Sequence, residues 1–264
     1  MSQTPAAPQI TGKMFLFERP ELLNKETHGD LGFHKIEKPH SFCAKVRALP
    51  LTINEFPFAM RHYPIVFVNK ENPMPLAVVG VIDDVNLFVD ETGEWETGIY
   101  VPSYVRRYPF AMATETGGDR LAIVIDAGSR VLTKGGEIPL FNKGELSKEA
   151  EDAVEFCKRC EGERRLTETM MAKLKEFDLI QGQSAQYTRP GDTQGTTFAQ
   201  YFGVDEKRLA DLPADRFEAL RQAGLLPYIY AQLLSFSNWR ELMNRRARRF
   251  NLKEDQLFQP LNVN

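Results

Sequence analysis

The chain has 264 residues, 42% of them hydrophobic and 26% charged, with a formal net charge of -3 at pH 7. That length buries a sizeable core as one large domain or two small ones, and the slightly acidic balance argues against a dedicated nucleic-acid binder, which carries a strongly basic domain. No apolar run approaches a membrane span, residues 1 to 10 lack the basic start and apolar centre of a secretory signal, and three cysteines make no disulfide framework, so the expected compartment is the reducing cytoplasm.

Residues 1 to 12, with Pro5, Pro8 and Gly12 among small polar residues, read as a loose leader, and residues 13 to 264 as one domain. From about Phe42 to Asp126 the chain is strand-like. Short β-branched runs occur at Ile65 to Val68, Leu76 to Ile82, Asn86 to Val89 and Leu121 to Ile125, punctuated by turn signals at Asp83-Asp84, Thr92-Gly93 and Gly117-Gly118. Asp83 to Asn86 predicts a hairpin, and connections this short predict a mostly antiparallel sheet. Two helical insertions are expected, residues 54 to 61 and 102 to 107. Each ends before a Tyr-Pro pair, Tyr63-Pro64 or Tyr108-Pro109, where proline pushes the preceding residue out of helical geometry and into strand.

From Ser147 the period becomes helical. Ala150, Ala153, Val154, Cys157 and Cys160, then Leu166, Met170, Leu174 and Phe177, place one apolar stripe on a long helix that Gly162 bends or breaks. Asp205 caps a short helix through Leu212, Pro213 suits the first turn of the next, and Gly224 marks its stop. A last helix runs from Pro227 to about Phe250, with Ile229, Leu233, Phe236, Trp239, Leu242 and Met243 on one side. The expected fold is α+β: a mostly antiparallel sheet with short inserted helices over residues 36 to 145, followed by a C-terminal helical layer over residues 146 to 250.

Among the chemically active residues, Tyr100-Val-Pro-Ser-Tyr-Val-Arg-Arg-Tyr-Pro-Phe110 stands out, because it sets an arginine pair among aromatics. Guanidiniums held between ring faces bind a carboxylate or phosphate, or stack on the rings. The expected ligand site is therefore Arg106 and Arg107 as an anion clamp, Tyr104 and Tyr108 as walls, and Glu55 orienting the arginines. The competing reading is structural, with Tyr and Phe anchoring the turn while the arginines snorkel to water or pair with Asp126 or Glu176.

His28-Gly-Asp30, completed by His62, has the residue types of an iron-binding facial triad, so Fe(II) is the alternative cofactor to none; a simple loop turn competes. Cys157-Lys-Arg-Cys160 lies on one helical stripe without a second pair to close a zinc site, which fits buried packing cysteines. No nucleophile elbow or phosphate-binding glycine loop is present. Arg245-Arg-Ala-Arg-Arg249 either binds an anionic partner surface or complements the negative end of the last helix.

Pro50-Leu-Thr-Ile-Asn-Glu-Phe56, Tyr63-Pro-Ile-Val-Phe67, the arginine-aromatic block, Pro139-Leu-Phe-Asn-Lys-Gly-Glu145, Phe177-Asp-Leu-Ile180, and the stretch from Glu206 through Tyr230-Ala-Gln-Leu-Leu-Ser-Phe-Ser-Asn-Trp239 together resemble the SapC family of bacterial proteins, over roughly residues 14 to 245. The family name is linked to a bacterial surface layer, and relatives occur beside TonB-dependent receptors, tryptophan-halogenase-like proteins and cupin-like oxygenases. The expected function is that of a binding or accessory protein in a bacterial surface-layer or TonB-linked uptake system, not an enzyme; the arginine pair points to a small anionic ligand or a protein partner, and the charge balance to no nucleic acid. The alternatives are an iron- and 2-oxoglutarate-type oxygenase on His28, Asp30 and His62, or a self-assembling surface-layer component.

Overall fold

The computed structural model describes residues 13–114, 121–188 and 193–261; the expected leader and the Gly117-Gly118 turn lie outside the described residues. In chain order the elements are β1 (Pro20–Leu22), α1 (Lys25–His28), β2 (Leu31–Phe33), β3 (Ala48–Pro50), a 3-10 turn (Ile53–Glu55), α2 (Phe56–Ala59), β4 (Ile65–Phe67) and β5 (Pro75–Val78). There follow α3 (Ser103–Arg106), β6 (Phe110–Thr114), β7 (Leu121–Asp126), β8 (Leu132–Lys134), β9 (Ile138–Pro139), β10 (Phe141–Asn142) and β11 (Glu145–Leu146). The last third holds α4 (Lys148–Glu176), β12 (Ile180–Tyr187), β13 (Thr196–Val204), α5 (Glu206–Ala210), α6 (Ala214–Gln222), α7 (Leu226–Ser235) and α8 (Asn238–Arg249). The strand pairings are antiparallel, so the α+β architecture expected from the short connections is the one found. Among the described residues no helix is long and apolar enough to cross a membrane.

Contacts divide the chain into two compact units. The first comprises residues up to Phe42 together with Arg106–Gly162; the second comprises Cys43–Val105 and Glu163 onward. In the first unit, sheets ordered β1-β7-β6 and β8-β2-β9 accompany the β10-β11 ribbon. Its core contains Phe110, Ile125, Leu132 and Leu140 with Ala150, Val154 and Cys157. The last three are the stripe that helical spacing in α4 places on one face. Gly162 does not interrupt that helix, which is continuous through it.

In the second unit the sheet order is β12-β13-β4-β5-β3. β13 and β4 share only the pair Phe202–Phe67, so the backbone groups beyond it need other partners. Helix α7 supplies them with two fully buried side chains. Gln232 donates to the Ile65 carbonyl at 2.9 Å and accepts from the Val204 amide at 3.2 Å, while the Ser235 hydroxyl accepts from the Ile65 amide at 2.9 Å. Gly203 permits this approach, since a Cβ there would meet Phe236 at 2.8 Å and Gln232 at 2.9 Å.

Several expectations are met locally. Both Tyr-Pro pairs lead into strands, β4 and β6. The Asp205 side chain accepts from the Arg208 amide at 2.9 Å and caps α5, and Gly224 adopts φ +68° directly after α6, a backbone state that favours glycine. Others are corrected. The apolar run from Leu76 leaves the sheet after Val78, where the Val79 and Gly80 amides both turn to the Arg47 carbonyl. Asn86 to Val89 is not a strand either, because the buried Asn86 side chain takes the Phe88 amide and donates to the Cys43 carbonyl.

The expected last helix is two helices. The Asn238 amide group bonds the Met60 and Tyr63 carbonyls at 2.7 and 3.2 Å, which holds a redirected chain at Phe236-Ser237. Within the half expected to be helical lies the long β12–β13 hairpin.

Candidate functional site

The residues of the expected anion site fall in both units: Arg106, Arg107 and Tyr108 in the first, Glu55 and Tyr104 in the second. Arg106 is exposed and places its guanidinium 5.1 Å from the Phe156 ring centroid, a cation–π distance. Arg107 is half-buried, and its charge favours the Cys157 thiolate. Burial is the stronger influence, however, and pushes that thiol up to about 12. Cys157 and Cys160 are both buried free thiols, as their shared stripe predicts. Tyr108 stacks on Phe42 at 3.8 Å and donates to Asp126 at 3.0 Å; burial is the first cause raising its phenol pKa. Asp126 is fully buried and also accepts from the Glu18, Arg19 and Gly128 amides at 2.9, 2.8 and 3.0 Å. Tyr108 is thus part of a carboxylate-centred clasp on the segment leading into β1. Glu176, the other structural partner considered for the arginines, pairs with Lys173 at 3.0 Å.

Glu55 is the corresponding centre of the second unit. Its buried carboxylate accepts from the Thr52 amide (2.8 Å) and hydroxyl (3.0 Å), the Ser103 amide (2.7 Å) and hydroxyl (2.8 Å), and the Tyr100 phenol (2.9 Å). A carboxylate offers about four lone-pair sites, so five donors saturate it. It joins the turn before α2 to the first residue of α3. Tyr104, half-buried, lies one residue further along α3.

Of the alternative iron ligands, His28 is buried. Its Nδ1 accepts from the Asn24 amide at 3.1 Å, which leaves the hydrogen on Nε2 facing Glu21 at 3.0 Å. Asp30 is exposed and pairs with Lys134 at 2.9 Å, a bond that holds its carboxyl below the usual range. His62 belongs to the second unit; burial, then the positive charges of Arg61 and Arg245, lower its pKa. Among the described residues no three His, Cys, Asp or Glu gather as a metal site.

The basic run sets Arg246, Arg248 and Arg249 in the last turn of α8, as complementing the helix end requires, and most of its side chains also have specific partners. Arg246 is fully buried, bonded to Asp83 at 2.8 and 2.7 Å and to the Leu257 and Gln259 carbonyls at 2.9 and 2.7 Å. Arg245 bonds Glu96 and lies 4.4 Å from the Phe88 centroid, and Arg248 bonds Glu241 at 2.6 Å. Arg246 fastens the chain after α8 to the loop at Asp83, whose carboxylate also takes the Leu261 amide at 2.7 Å.

A different surface is open. On the sheet of the second unit a groove of about 800 Å³ is lined by Val66, Val68, Leu76 and Phe202 with Gln183, Ser184 and Gln200. Tyr201 brings the one ionisable side chain among its described lining residues, and burial raises that phenol's pKa. A lining of apolar groups and neutral amides or hydroxyls presents donors and acceptors without an acid, base or activated nucleophile. It suits an uncharged polypeptide surface better than an anion or a reacting centre. Sequence reasoning missed this surface because β12 and β13 are rich in Gln, Gly, Ser and Thr; the aromatic cluster Phe198, Tyr201 and Phe202 was the available signal.

A family model described as SapC matches residues 23–242. No curated protein matches the chain, and no solved structure does. With most of its length covered by that model, and the Tyr100 to Phe110 block inside the match, the chain belongs to the SapC family.

Proposed function

We propose that the protein is a non-catalytic accessory protein of a bacterial surface-layer or TonB-linked uptake system, and that it receives a partner polypeptide on the groove of its five-stranded sheet. The observation that carries this reading is the chemistry of the groove, whose described lining holds no carboxylate, amine, imidazole or thiol. Membership of the SapC family supplies the biological setting.

The test is native mass spectrometry with elemental analysis of protein purified from its own host. A metal-free chain that co-purifies with a surface-layer or receptor polypeptide is expected. Val68 is exposed, so Val68→Glu leaves the fold intact, sets a charge in the groove and abolishes the complex. Stoichiometric iron that disappears in His28→Ala would overturn the proposal in favour of an oxygenase.

A further inference from the structure

The two edges of the five-stranded sheet differ in kind. β3 has three residues, ends at Pro50 and follows Arg47, whose carbonyl takes the Val79 and Gly80 amides. Shortness, proline and nearby charge are the usual means by which a sheet edge is kept from pairing with another chain. β12 has none of them. It is eight residues long, Ile180-Gln-Gly-Gln-Ser-Ala-Gln-Tyr187, without proline or a charged side chain, and no strand lies on its far side among the described residues.

The irregularity in the hairpin falls between Ala185 and Gln186, whose partners are Ala199 and Thr197, so the additional residue is Phe198 on β13. β12 therefore keeps its alternation from Gln181 to Tyr187. Gly182, Ser184 and Gln186 are exposed, whereas Gln181, Gln183, Ala185 and Tyr187 are partly or fully covered. A row of backbone donors and acceptors at strand spacing is complementary to another strand and to little else.

We propose that β12 pairs antiparallel with β12 of a second copy of this chain, about a two-fold axis at Ser184. This register sets Ser184 opposite Ser184, Gly182 opposite Gln186, and Gln183 opposite Ala185. Paired residues differ by an even number, so exposed positions meet exposed ones and covered positions meet covered ones, as a shared sheet requires. No like charges oppose one another. An isologous contact of this kind closes on itself, so the product is a dimer and not a lattice. The axis is perpendicular to the sheet and leaves the two grooves on the same face, which makes the proposed partner surface bivalent.

Sedimentation equilibrium of the purified full chain tests the pairing without any partner, so it succeeds or fails independently of the groove's proposed role. Wild type is expected at twice the chain mass. Ser184→Lys places two ammonium groups across the axis with Cβ atoms about 5 Å apart, and should weaken the dimer about tenfold while the circular dichroism spectrum stays unchanged. Ser184→Glu should do the same alone. An equimolar mixture of the two variants should dimerise again at low salt and separate at high salt. A wild-type monomer at every concentration, or a dimer or larger assembly indifferent to Ser184→Lys, would overturn the proposal.

Discussion

The stretch from Tyr100 to Phe110 and the β12–β13 hairpin differ in how their side chains are used. The first is dense in arginine, tyrosine and proline, yet Tyr100 and Ser103 are bound to Glu55 and Tyr108 to Asp126. The second is chemically bland and forms much of an open groove of about 800 Å³. Strong donors and buried carboxylates are what a fold needs to satisfy its own interior, whereas a surface that receives another polypeptide does well without uncompensated charge. Conspicuous chemistry in a sequence therefore marks structural clasps as readily as it marks sites.

The sharpest way to break this comparison is Glu55→Ala. It strands the donors of Thr52, Ser103 and Tyr100 in a buried place and removes the cap on α3, so it should lower the unfolding free energy by about 3 kcal/mol in urea titrations. An unchanged midpoint would show that the carboxylate is not a structural centre. Tyr108→Phe, which removes one hydrogen bond to a buried carboxylate and keeps the ring on Phe42, should cost about 1.5 kcal/mol by the same measurement. The smallest effect is expected in the hairpin. Gln200 is exposed, and Gln200→Ala should shift stability by no more than about 0.5 kcal/mol; a larger loss would make the groove wall part of the folding core.

Elements whose signals are local are legible in the amino-acid order alone. The 29-residue α4 follows from its repeated apolar spacing, α5 from Asp205, the end of α6 from Gly224, and β4 and β6 from the proline that precedes each. These depend on backbone sterics and side-chain period within a few residues. The resemblance to the SapC family, read from motifs spread along the chain, agrees with the family match over residues 23–242. The break between α7 and α8 is not legible in this way, since the bonds that redirect the chain there run from Asn238 to Met60 and Tyr63, 178 and 175 residues away. Nor is the fate of Val79 to Asn86, as apolar at its start as a strand but with the Val79 and Gly80 amides turned to Arg47 and the Asn86 amide to Ala44 instead of a ladder.

The chain by itself thus determined the α+β class, the antiparallel pairing, the long helix and the family, because each is written in periodicity, turn chemistry or motif over short distances. Tertiary structure alone decided which charged and aromatic residues are consumed internally, which face of the sheet stays open and which strand is left at its edge. Those outcomes depend on partners more than a hundred residues apart, as with Glu18 and Asp126 or Ile65 and Ser235, and no local pattern encodes such a pairing.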